Sequence, residues 1–462
     1  MRASALAMRS TSTTNGAGKV RRHELDWLRT AAVFGLIPFH TAIIFTTGSF
    51  DYIRNAQSSA VMDALTSFVS IWGIPVLFLV AGGASRFALA ARSARQFLDE
   101  RVMRLLIPFL FGMLLIVPLQ IYIGKLSAPT PPALPAFYLG FLLTLVGVLA
   151  GHFPPGPEWI GHLWFIPPLM AFSALALPFA AALRTAHGQR ALRWLAGASH
   201  GVAPLALLGL PFAVIQLVIV VSDWLFPSLA TSFATNAIGV AAYLVFFFYG
   251  YLLYLDDRLL SGIRRDTWSA LALGVGAWLW IAFITPAWWP SGAPAPAGLM
   301  VALIRGYCSW WWVMGILGLA LRYLQFTTPV VEYLSRAAYP VYIIHMPILS
   351  FVGLWIVRLD LNIWLKFGII TVLALAASLA FYDLLIRRVG ALRMLFGLPP
   401  DKQPHEPPRH NGFGVIRRVK PDRTLWRAVR GRAAARDRSH AAASPIARPP
   451  GVRGLARRGL LY

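Results

Sequence analysis

The sequence has little charge, few acidic residues and almost no cysteine. Only 13% of its 462 residues are charged and 57% are hydrophobic, whereas a soluble protein carries about 25% charged residues. The single cysteine, Cys308, excludes an internal disulfide bond and a cysteine-based zinc site. The first residues contain no apolar core of a cleavable signal peptide, and we detect neither an internal repeat nor a separate soluble domain.

Long apolar runs are what the sequence contains instead. Its mean hydropathy is +0.62, and the runs of roughly 18–22 residues are each long enough to cross about 30 Å of hydrocarbon. We therefore predict an all-α, polytopic transmembrane helix bundle of about ten spans. The predicted spans are 27–47, 64–84, 105–123, 160–183, 202–222, 234–255, 268–286, 299–321, 337–357 and 363–386.

The distribution of basic residues predicts the orientation of these spans. If segment 133–150 does not cross the membrane, the inward loops carry most of the arginines and the outward loops carry only Arg54, Lys125 and Arg358. Counting that segment as a span would place most arginines outside, against the positive-inside rule. We expect both termini to be cytoplasmic, and segment 133–159 to be either re-entrant or an eleventh helix.

Both ends of the chain differ from the apolar body. We predict a disordered basic N-terminus over 1–21, a membrane domain over 22–390 and a basic, disordered cytoplasmic tail over 391–462. The tail after Pro400 holds 15 Lys and Arg against 4 Asp and Glu, a net charge of +11, and has too few large apolar residues to fold alone. It either lies on the anionic inner leaflet or has no specific role, and we expect no nucleic-acid partner.

The first apolar helix carries polar residues that are costly to place in hydrocarbon. Arg29 and His40 are eleven residues apart, so they share one helix face about 16 Å apart along the axis. Asp26 can pair with Arg29 at the i,i+3 spacing. An intramembrane histidine indicates a functional site; the structural alternative is a neutral, hydrogen-bonded His40 with Arg29 extending to the headgroups.

Arginines and small residues cluster at the predicted inner side. Arg101 and Arg104 are i,i+3 neighbours at the mouth of the third span, where two guanidinium forks suit a phosphate-bearing ligand. Anchoring by the positive-inside rule is the alternative for each. The small residues 81–85, just before Arg86, allow close approach of either a ligand or another helix.

Two further segments place polar side chains at membrane depth. His162 and Trp164 begin a helix that Pro167–Pro168 interrupts, and broken helices are tolerated where they line a cavity or are buried in protein. Tyr339, Tyr342 and His345 are spaced three apart, so successive residues are helix neighbours. They predict either a polar cavity or a structural hydrogen-bond cluster.

Together these motifs resemble the membrane acyltransferase-3 family across nearly all of residues 22–390. The resemblance is carried by "ELDWLRTAAVFGLIPFH" in the first helix, Arg-x-x-Arg-x-x-x-Pro at Arg101, Arg104 and Pro108, "HLWF" at 162–165 and "YPVYIIH" at 339–345.

The resemblance implies a ten-helix bundle in a bacterial inner membrane. It also implies transfer of an acyl group, often acetyl or succinyl, from cytoplasmic acyl-coenzyme A to hydroxyls of envelope glycans or small metabolites. Two features depart from the family pattern: "AGG" stands at 81–83 where many members have Ser-Gly, and Ile166, Pro167, Pro168 and Leu169 replace a stretch where many O-antigen-type members carry a Glu. The second departure favours the branch of glucan-modifying succinyltransferases.

From these residues we expect the following roles. His40 would be the general base on the acceptor hydroxyl, since an unperturbed histidine titrates near pH 6.5, and His345 is the second catalytic candidate. The donor phosphates would bind Arg29, Arg86, Arg101 and Arg104. The candidate substrate-binding residues are Asp26, His162, Trp164, Tyr339 and Tyr342. We expect no metal and no permanently bound cofactor.

Two other classes of function fit the same pattern. Intramembrane His and Arg with broken helices also suit a proton-coupled transporter or flippase, although the missing inverted repeat argues against one. A non-catalytic assembly component is the third class. The sequence does not predict the oligomeric state.

Overall fold

The computed structural model describes residues 22–48, 53–152, 160–198, 201–225, 233–284 and 295–399. All regular secondary structure within these ranges is helical, which confirms the all-α class. The predictions for 1–21 and for the tail from 400 onward lie outside the described residues.

Fourteen helices occur in the described ranges, and several contain a π or 3₁₀ turn. They are α1 His23–Ile43, α2 Ala60–Ala91, α3 Ala94–Lys125, α4 Leu134–Leu149, α5 Gly161–Arg184, α6 Ala186–Ala198, α7 Val202–Leu225, α8 Phe233–Leu253, α9 Asp257–Arg265, α10 Thr267–Leu279 with a π turn Trp280–Ile284, α11 Ala295–Tyr323, α12 Pro329–Ile356, α13 Ile363–Ile386 and α14 Gly390–Leu395.

Local sequence explains where several helices begin. Ser59, Thr328 and Asn362 each cap the following helix by accepting a hydrogen bond from a backbone N–H of its first turn. At the start of α3, Ser93 and Gln96 form a complete capping box.

The described residues contain seven helices that are long and apolar enough to cross a membrane. They are α2, α3, α5, α7, α11, α12 and α13, and α8 with α9 would make an eighth span that bends by 110°. The predicted spans 27–47 and 268–286 fall on α1 and α10, which are not among these helices. Polar residues lower the mean hydropathy of α1, and α10 is too short. The chain is thus a polytopic helical membrane protein, while about ten spans and the cytoplasmic termini stay predictions.

Segment 133–159, for which the sequence allowed two arrangements, contains the short helix α4. This apolar helix has 16 residues and falls below the length of the seven candidate spans. Most of its large side chains are exposed, including Leu143 and Leu149 at 63% and 78%. Residues 153–159 lie outside the described ranges, so crossing or re-entry remains open.

Helix α12 is the centre of the bundle. In its most apolar stretch 78% of the residues are buried, more than in the other candidate spans, and it packs against α1 and α13. Arg29 near the start of α1 contacts Ser335, and His40 near its end contacts His345. Since both pairs follow the same order along the chain, α1 and α12 run parallel, and Arg29 and His40 both face α12.

Prolines inside the helices create docking points for neighbouring helices. A proline has no N–H, so the carbonyl four residues earlier loses its helical donor. The carbonyl that Pro75 leaves, that of Ile71, accepts from the hydroxyl of Ser309 at 2.6 Å. The carbonyl of Leu114, four residues before Pro118, accepts from the hydroxyl of Tyr138.

Glycines on α2 and α8 permit a backbone-to-backbone contact. A Cβ added at Gly82 would overlap the carbonyl oxygen of Phe247, and one at Gly250 would overlap that of Leu79. A Cβ at Gly83 would lie 3.0 Å from the ring of Tyr254. Helix packing therefore accounts for the "AGG" stretch, for which the sequence allowed either packing or a ligand.

The start of α9 and helix α14 both lie on the predicted cytoplasmic side of the bundle. Asp256 caps α9, and hydrogen bonds from the side chain and then the backbone of Arg258 lower the pKa of the Asp256 carboxyl below its ordinary value. Helix α14 ends at Leu395, and the next residue, Phe396, is 1% exposed and lies with its ring centroid 5.3 Å from that of Phe111. The first residues after the predicted boundary at 390 thus pack on the bundle.

Candidate active site

Three histidines from different parts of the chain meet between α1, α5 and α12. The ring centroid of His345 lies 5.5 Å from that of His40 and 5.3 Å from that of His162. His345 and His162 are buried, at 1% and 8% exposure, whereas His40 is partly exposed. We call these three residues the histidine cluster.

Both ring nitrogens of His162 are bound by protein groups. Its Nε2–H donates to the carbonyl of Ile343 at 2.9 Å, which Pro347, four residues later, leaves without a helical donor. Its Nδ1 lies 2.8 Å from Oε1 of the Gln120 amide. Because Nδ1 of the neutral ring is an acceptor, we assign this amide in the rotated orientation, in which its NH₂ group donates to Nδ1. The rotation also gives a partner to the Gln120 nitrogen, which otherwise has none among the described residues. His162 is therefore held as a structural hub.

His345 keeps one nitrogen available. Its Nδ1–H donates to the carbonyl of Tyr342 at 2.7 Å, which fixes the tautomer and leaves a lone pair on Nε2. This Nε2 is buried and has no hydrogen-bond partner in the described residues. A buried acceptor without a donor is costly, and a basic nitrogen of this kind can take a proton from a substrate.

The 3₁₀ turn that opens α5 is held closely against its neighbours. The hydroxyl of Tyr342 donates to the main-chain carbonyl of His162 at 2.6 Å. A Cβ at Gly112 would lie 2.5 Å from the side chain of Leu163, so glycine is needed where α3 passes this turn. Trp164, which the sequence predicted as a substrate-binding residue, contacts α8 instead, where its ring centroid lies 6.2 Å from that of Tyr243.

Arg101 on α3 and Arg86 on α2 carry unsatisfied donors. The guanidinium of Arg101 donates to the hydroxyl of Ser85 at 3.1 Å and lies 4.8 Å from the ring centroid of Phe97. Within the described ranges, its buried Nε–H has no hydrogen-bond partner, and the same holds for the Nε–H of Arg86. By contrast, Arg92 is paired with Glu100 at 2.6 Å. Buried guanidinium N–H groups without an acceptor suit an anionic ligand.

Arg104 is linked to the histidine cluster through Gly397 and the α12 tyrosines. An added Cβ at Gly397 would lie 2.8 Å from both the carbonyl of Arg104 and the ring of Tyr339, and Gly397 has a φ of +70° that favours glycine. The ring of Tyr339 stacks on that of Tyr342 at 6.3 Å, and its buried hydroxyl has no hydrogen-bond partner in the part of the chain that the structure describes. The arginine side and the histidine cluster are thus joined along one face of α12.

Arg29 and Asp26 are engaged with α12 and with each other. The guanidinium of Arg29 donates to the hydroxyl and the carbonyl of Ser335, the latter at 3.4 Å. It also lies 3.3 Å from a carboxylate oxygen of Asp26. These contacts tie the first helix to α12, whereas the guanidinium of Arg101 is engaged with Ser85 of α2.

The structure thus brings together His40, His162, His345, Tyr339 and Tyr342, whereas it shows no contact between the side chains of Arg101 and Arg86 in the described residues. Sequence reasoning missed Gln120 and Ser335, which position His162 and Arg29. Gln120 could have been found as a polar residue inside an otherwise apolar span, since such a residue needs a buried partner. Among the described residues, no group of His, Cys, Asp and Glu could hold a metal ion.

Comparisons with known proteins identify the family of this chain. The chain is 26% identical over 398 residues to the glucans biosynthesis protein C of Salmonella schwarzengrund (strain CVM19633), covering 83% of this chain and 96% of that protein. The protein of the same name from Salmonella typhi matches with the same identity and coverage. No solved structure matches. A family model described as an acyltransferase domain matches residues 22–383, and the chain therefore belongs to the acyltransferase-3 family of membrane proteins.

Proposed function

We propose that this protein is an O-acyltransferase that moves an acetyl, succinyl or similar acyl group from cytoplasmic acyl-coenzyme A to a hydroxyl group. The observation that carries the proposal is the pairing of two histidine rings: His345 has a fixed lone pair on Nε2, which has no hydrogen-bond partner among the described residues, and its ring lies beside that of His40. Acyl transfer to a hydroxyl needs a general base, the role we give to His40, and histidine is the side chain that most often provides it.

The arginine side supports acyl-coenzyme A as the donor. Coenzyme A carries a diphosphate and a 3′-phosphate, and guanidinium groups bind phosphates through paired N–H donors. Arg101 and Arg86 each have a buried Nε–H that no atom of the described residues accepts, and Arg104 is an i,i+3 neighbour of Arg101. The donor phosphates would satisfy these N–H groups, while the pantetheine arm extends past Tyr339 and Tyr342 toward the histidine cluster.

The reaction would proceed in one displacement. His40 takes the proton of the acceptor hydroxyl while its oxygen attacks the thioester carbonyl carbon. The new C–O bond forms, the C–S bond breaks, and the leaving thiolate takes the proton from the imidazolium, so that an ester and free coenzyme A result. His345 supports His40 by offering Nε2 as a hydrogen-bond acceptor, much as a carboxylate orients the histidine of a catalytic triad.

The acceptor class follows from the chemistry and from the relatives. A base beside a thioester acts on any hydroxyl group that can reach the thioester carbonyl, so an envelope glycan or a small metabolite would be a suitable acyl acceptor. The relatives are named for glucan biosynthesis, and we therefore favour a glucan acceptor and a bacterial inner-membrane location.

Purified protein in nanodiscs tests this function. We expect it to transfer radiolabelled acyl groups from acetyl- or succinyl-coenzyme A to a linear gluco-oligosaccharide, with release of free thiol in equal amount. Trp194→Ala is a suitable control, because that side chain is 70% exposed on α6, and we expect it to retain activity. Movement of a solute across the bilayer without thiol release would instead identify a transporter and overturn the proposal.

A further inference from the structure

A large cavity borders the histidine cluster at His40. It has a volume of about 820 Å³ and is lined by residues of α1, α2, α7, α8, α10 and α11. Phe39 and Ile43 on α1 both line it, one residue before His40 and three residues after it. The ring centroid of Phe39 lies 5.1 Å from that of His40. The proposed general base is therefore next to the cavity wall.

Helix α8 brings the same cavity close to α5. Tyr243 lines the cavity, and its ring centroid lies 6.2 Å from that of Trp164. Trp164 follows His162 by two residues in the 3₁₀ turn that opens α5. The cavity thus borders the histidine cluster through sequence neighbours of two of its three members.

Large apolar side chains form much of the cavity wall. Phe212 on α7 is almost fully buried, at 3% exposure, and its ring packs on that of Phe246 at 4.6 Å, so this part of the wall is firmly held. The principal apolar members, from four helices, are Phe39, Ile43, Ile71, Pro75, Phe212 and Trp278. A wall of this kind stabilises a hydrocarbon ligand, because binding removes the apolar surface of both from water.

Polar groups of the wall are largely engaged with the protein itself. Asp63 accepts from the backbone N–H and from the hydroxyl of Thr47, both at 3.0 Å. Four side-chain hydroxyl groups of the lining donate to helix carbonyls at 2.6–2.9 Å, those of Thr46, Thr66, Ser70 and Ser309. Because these O–H groups already have acceptors, they do not need a polar ligand.

The direction of the donor decides which of its groups reaches the cavity. Ser85, whose hydroxyl accepts from Arg101, stands ten residues after Pro75 on α2, about 15 Å along the helix axis. The cavity lining extends from Pro75 away from Ser85, as far as Asp63. With the donor phosphates at Arg101 and the thioester at His40, the pantetheine arm occupies the Arg101 side. The acyl chain, attached on the other side of the thioester carbonyl, would then extend into the cavity.

We infer that this cavity binds the acyl chain of the donor, and that the protein prefers coenzyme A thioesters with a hydrocarbon chain of several carbons over acetyl-coenzyme A. The inference rests on the proposed function, which it deepens by naming the class of acyl group. From Asp63 to Pro75 the lining covers about 18 Å along α2, which gives such a chain room to extend. The cavity wall thereby sets the length and the polarity of the acyl group that is transferred.

A chain-length series tests the inference without relying on turnover. Protein in nanodiscs is titrated with non-hydrolysable analogues of acetyl-, butanoyl- and hexanoyl-coenzyme A. We expect the dissociation constant to fall roughly fourfold for each added methylene group, or roughly 200-fold from acetyl to hexanoyl. Empty nanodiscs, titrated in parallel, correct for partition of the longer chains into lipid. Equal dissociation constants for the three analogues would overturn the inference.

A succinyl analogue adds a comparison at equal chain length. It carries a carboxylate where the butanoyl analogue has its terminal methyl group. We expect the butanoyl analogue to bind roughly tenfold or more tightly, because a carboxylate loses its hydration in an apolar cavity. Tighter binding of the succinyl analogue would contradict the hydrocarbon preference and would assign the choice of acyl group to Arg305, a basic residue of the lining.

A pair of tryptophan variants supplies the matched control. Ser70→Trp places a large side chain in the cavity and should remove the dependence on chain length, while the acetyl analogue keeps its dissociation constant and thereby shows that the variant is folded. Leu65→Trp lies on the same helix outside the lining, at a position that is 39% exposed, and should keep the full dependence. Tight binding of the hexanoyl analogue by Ser70→Trp would exclude the cavity as the acyl site.

Acyl transfer measured on the same preparations separates this inference from the proposed function. Transfer that proceeds while binding is independent of chain length would remove the acyl site from the cavity and leave the enzyme. Binding that depends on chain length and on Ser70, without any transfer, would leave the acyl site and remove the enzyme.

Discussion

The rings of His40 and His345 lie 5.5 Å apart, centroid to centroid, although one belongs to the first helix of the bundle and the other to the twelfth. The contact exists because α1 and α12 run parallel and Arg29 holds their other ends together at Ser335. A partly exposed histidine therefore lies beside a buried one that has a lone pair to offer.

The two histidines should act as one unit. We expect His40→Ala and His345→Ala each to lower the turnover number by about 10²- to 10⁴-fold, the usual contribution of a general base. Because each variant disables the same proton transfer, the double variant should be nearly as active as the weaker single variant. Initial rates of thiol release at saturating donor and acceptor measure this, and multiplicative losses would show that the two residues act independently.

The donor arginine can be tested against another arginine of the same helix, α3. Arg101→Ala should weaken acyl-coenzyme A binding tenfold or more, since a charge-assisted hydrogen bond contributes about 1.5–3 kcal/mol. Arg95→Ala is the matched control, because that side chain is 92% exposed and its removal changes the charge of the same end of α3. Titration calorimetry with a non-hydrolysable donor analogue measures the dissociation constants of both variants. Equal weakening by the two substitutions would show that Arg101 contributes only its positive charge and no specific contact.

Much of this architecture could be predicted from the sequence, because hydrophobic runs and helical spacing are local properties. The common face of Arg29 and His40 followed from the helix repeat alone, and the helices at all ten predicted spans followed from run length. Which helices meet was not predictable, since it depends on distant partners such as Ser85 for Arg101 and Gln120 for His162. For the same reason the sequence did not predict the cavity of about 820 Å³ that residues of six helices line.

His162 should matter for stability more than for chemistry. His162→Phe removes both hydrogen bonds and leaves the Ile343 carbonyl and the Gln120 amide buried without partners, which costs about 1–3 kcal/mol for each unsatisfied group. We expect a lower thermal midpoint in detergent, measured by fluorescence-detected size exclusion. His152→Phe, at an exposed position, is the control. An unchanged midpoint with lost turnover would instead place His162 in the chemistry.

The close contact of α2 with α8 predicts different tolerance at two glycines. Gly82→Ala would drive a methyl group into the carbonyl of Phe247, whereas Gly35→Ala on α1 meets nothing within 4 Å. We expect Gly82→Ala to reduce the amount of folded protein in the membrane and Gly35→Ala to have little effect or to stabilise its helix slightly, since alanine has the higher helix propensity. Quantitative immunoblots of membrane fractions compare the abundance of the two variants. Equal abundance would mean that α2 and α8 can move apart without a loss of stability.

The C-terminal helix α14 should support the donor side of the site. Phe396 is buried against Phe111 at the inner side, and the next residue, Gly397, separates the Arg104 carbonyl from the ring of Tyr339. Phe396→Ala removes an anchor whose loss in a core costs about 3–5 kcal/mol, so α14 should detach and leave Arg104 and Tyr339 without their neighbour. We expect a raised KM for acyl-coenzyme A with an unchanged KM for the acceptor, and no such change in Met394→Ala, where the side chain is 48% exposed. If both variants behaved alike, α14 would have no role in donor binding, and the functional domain would end near residue 390 as the sequence predicted.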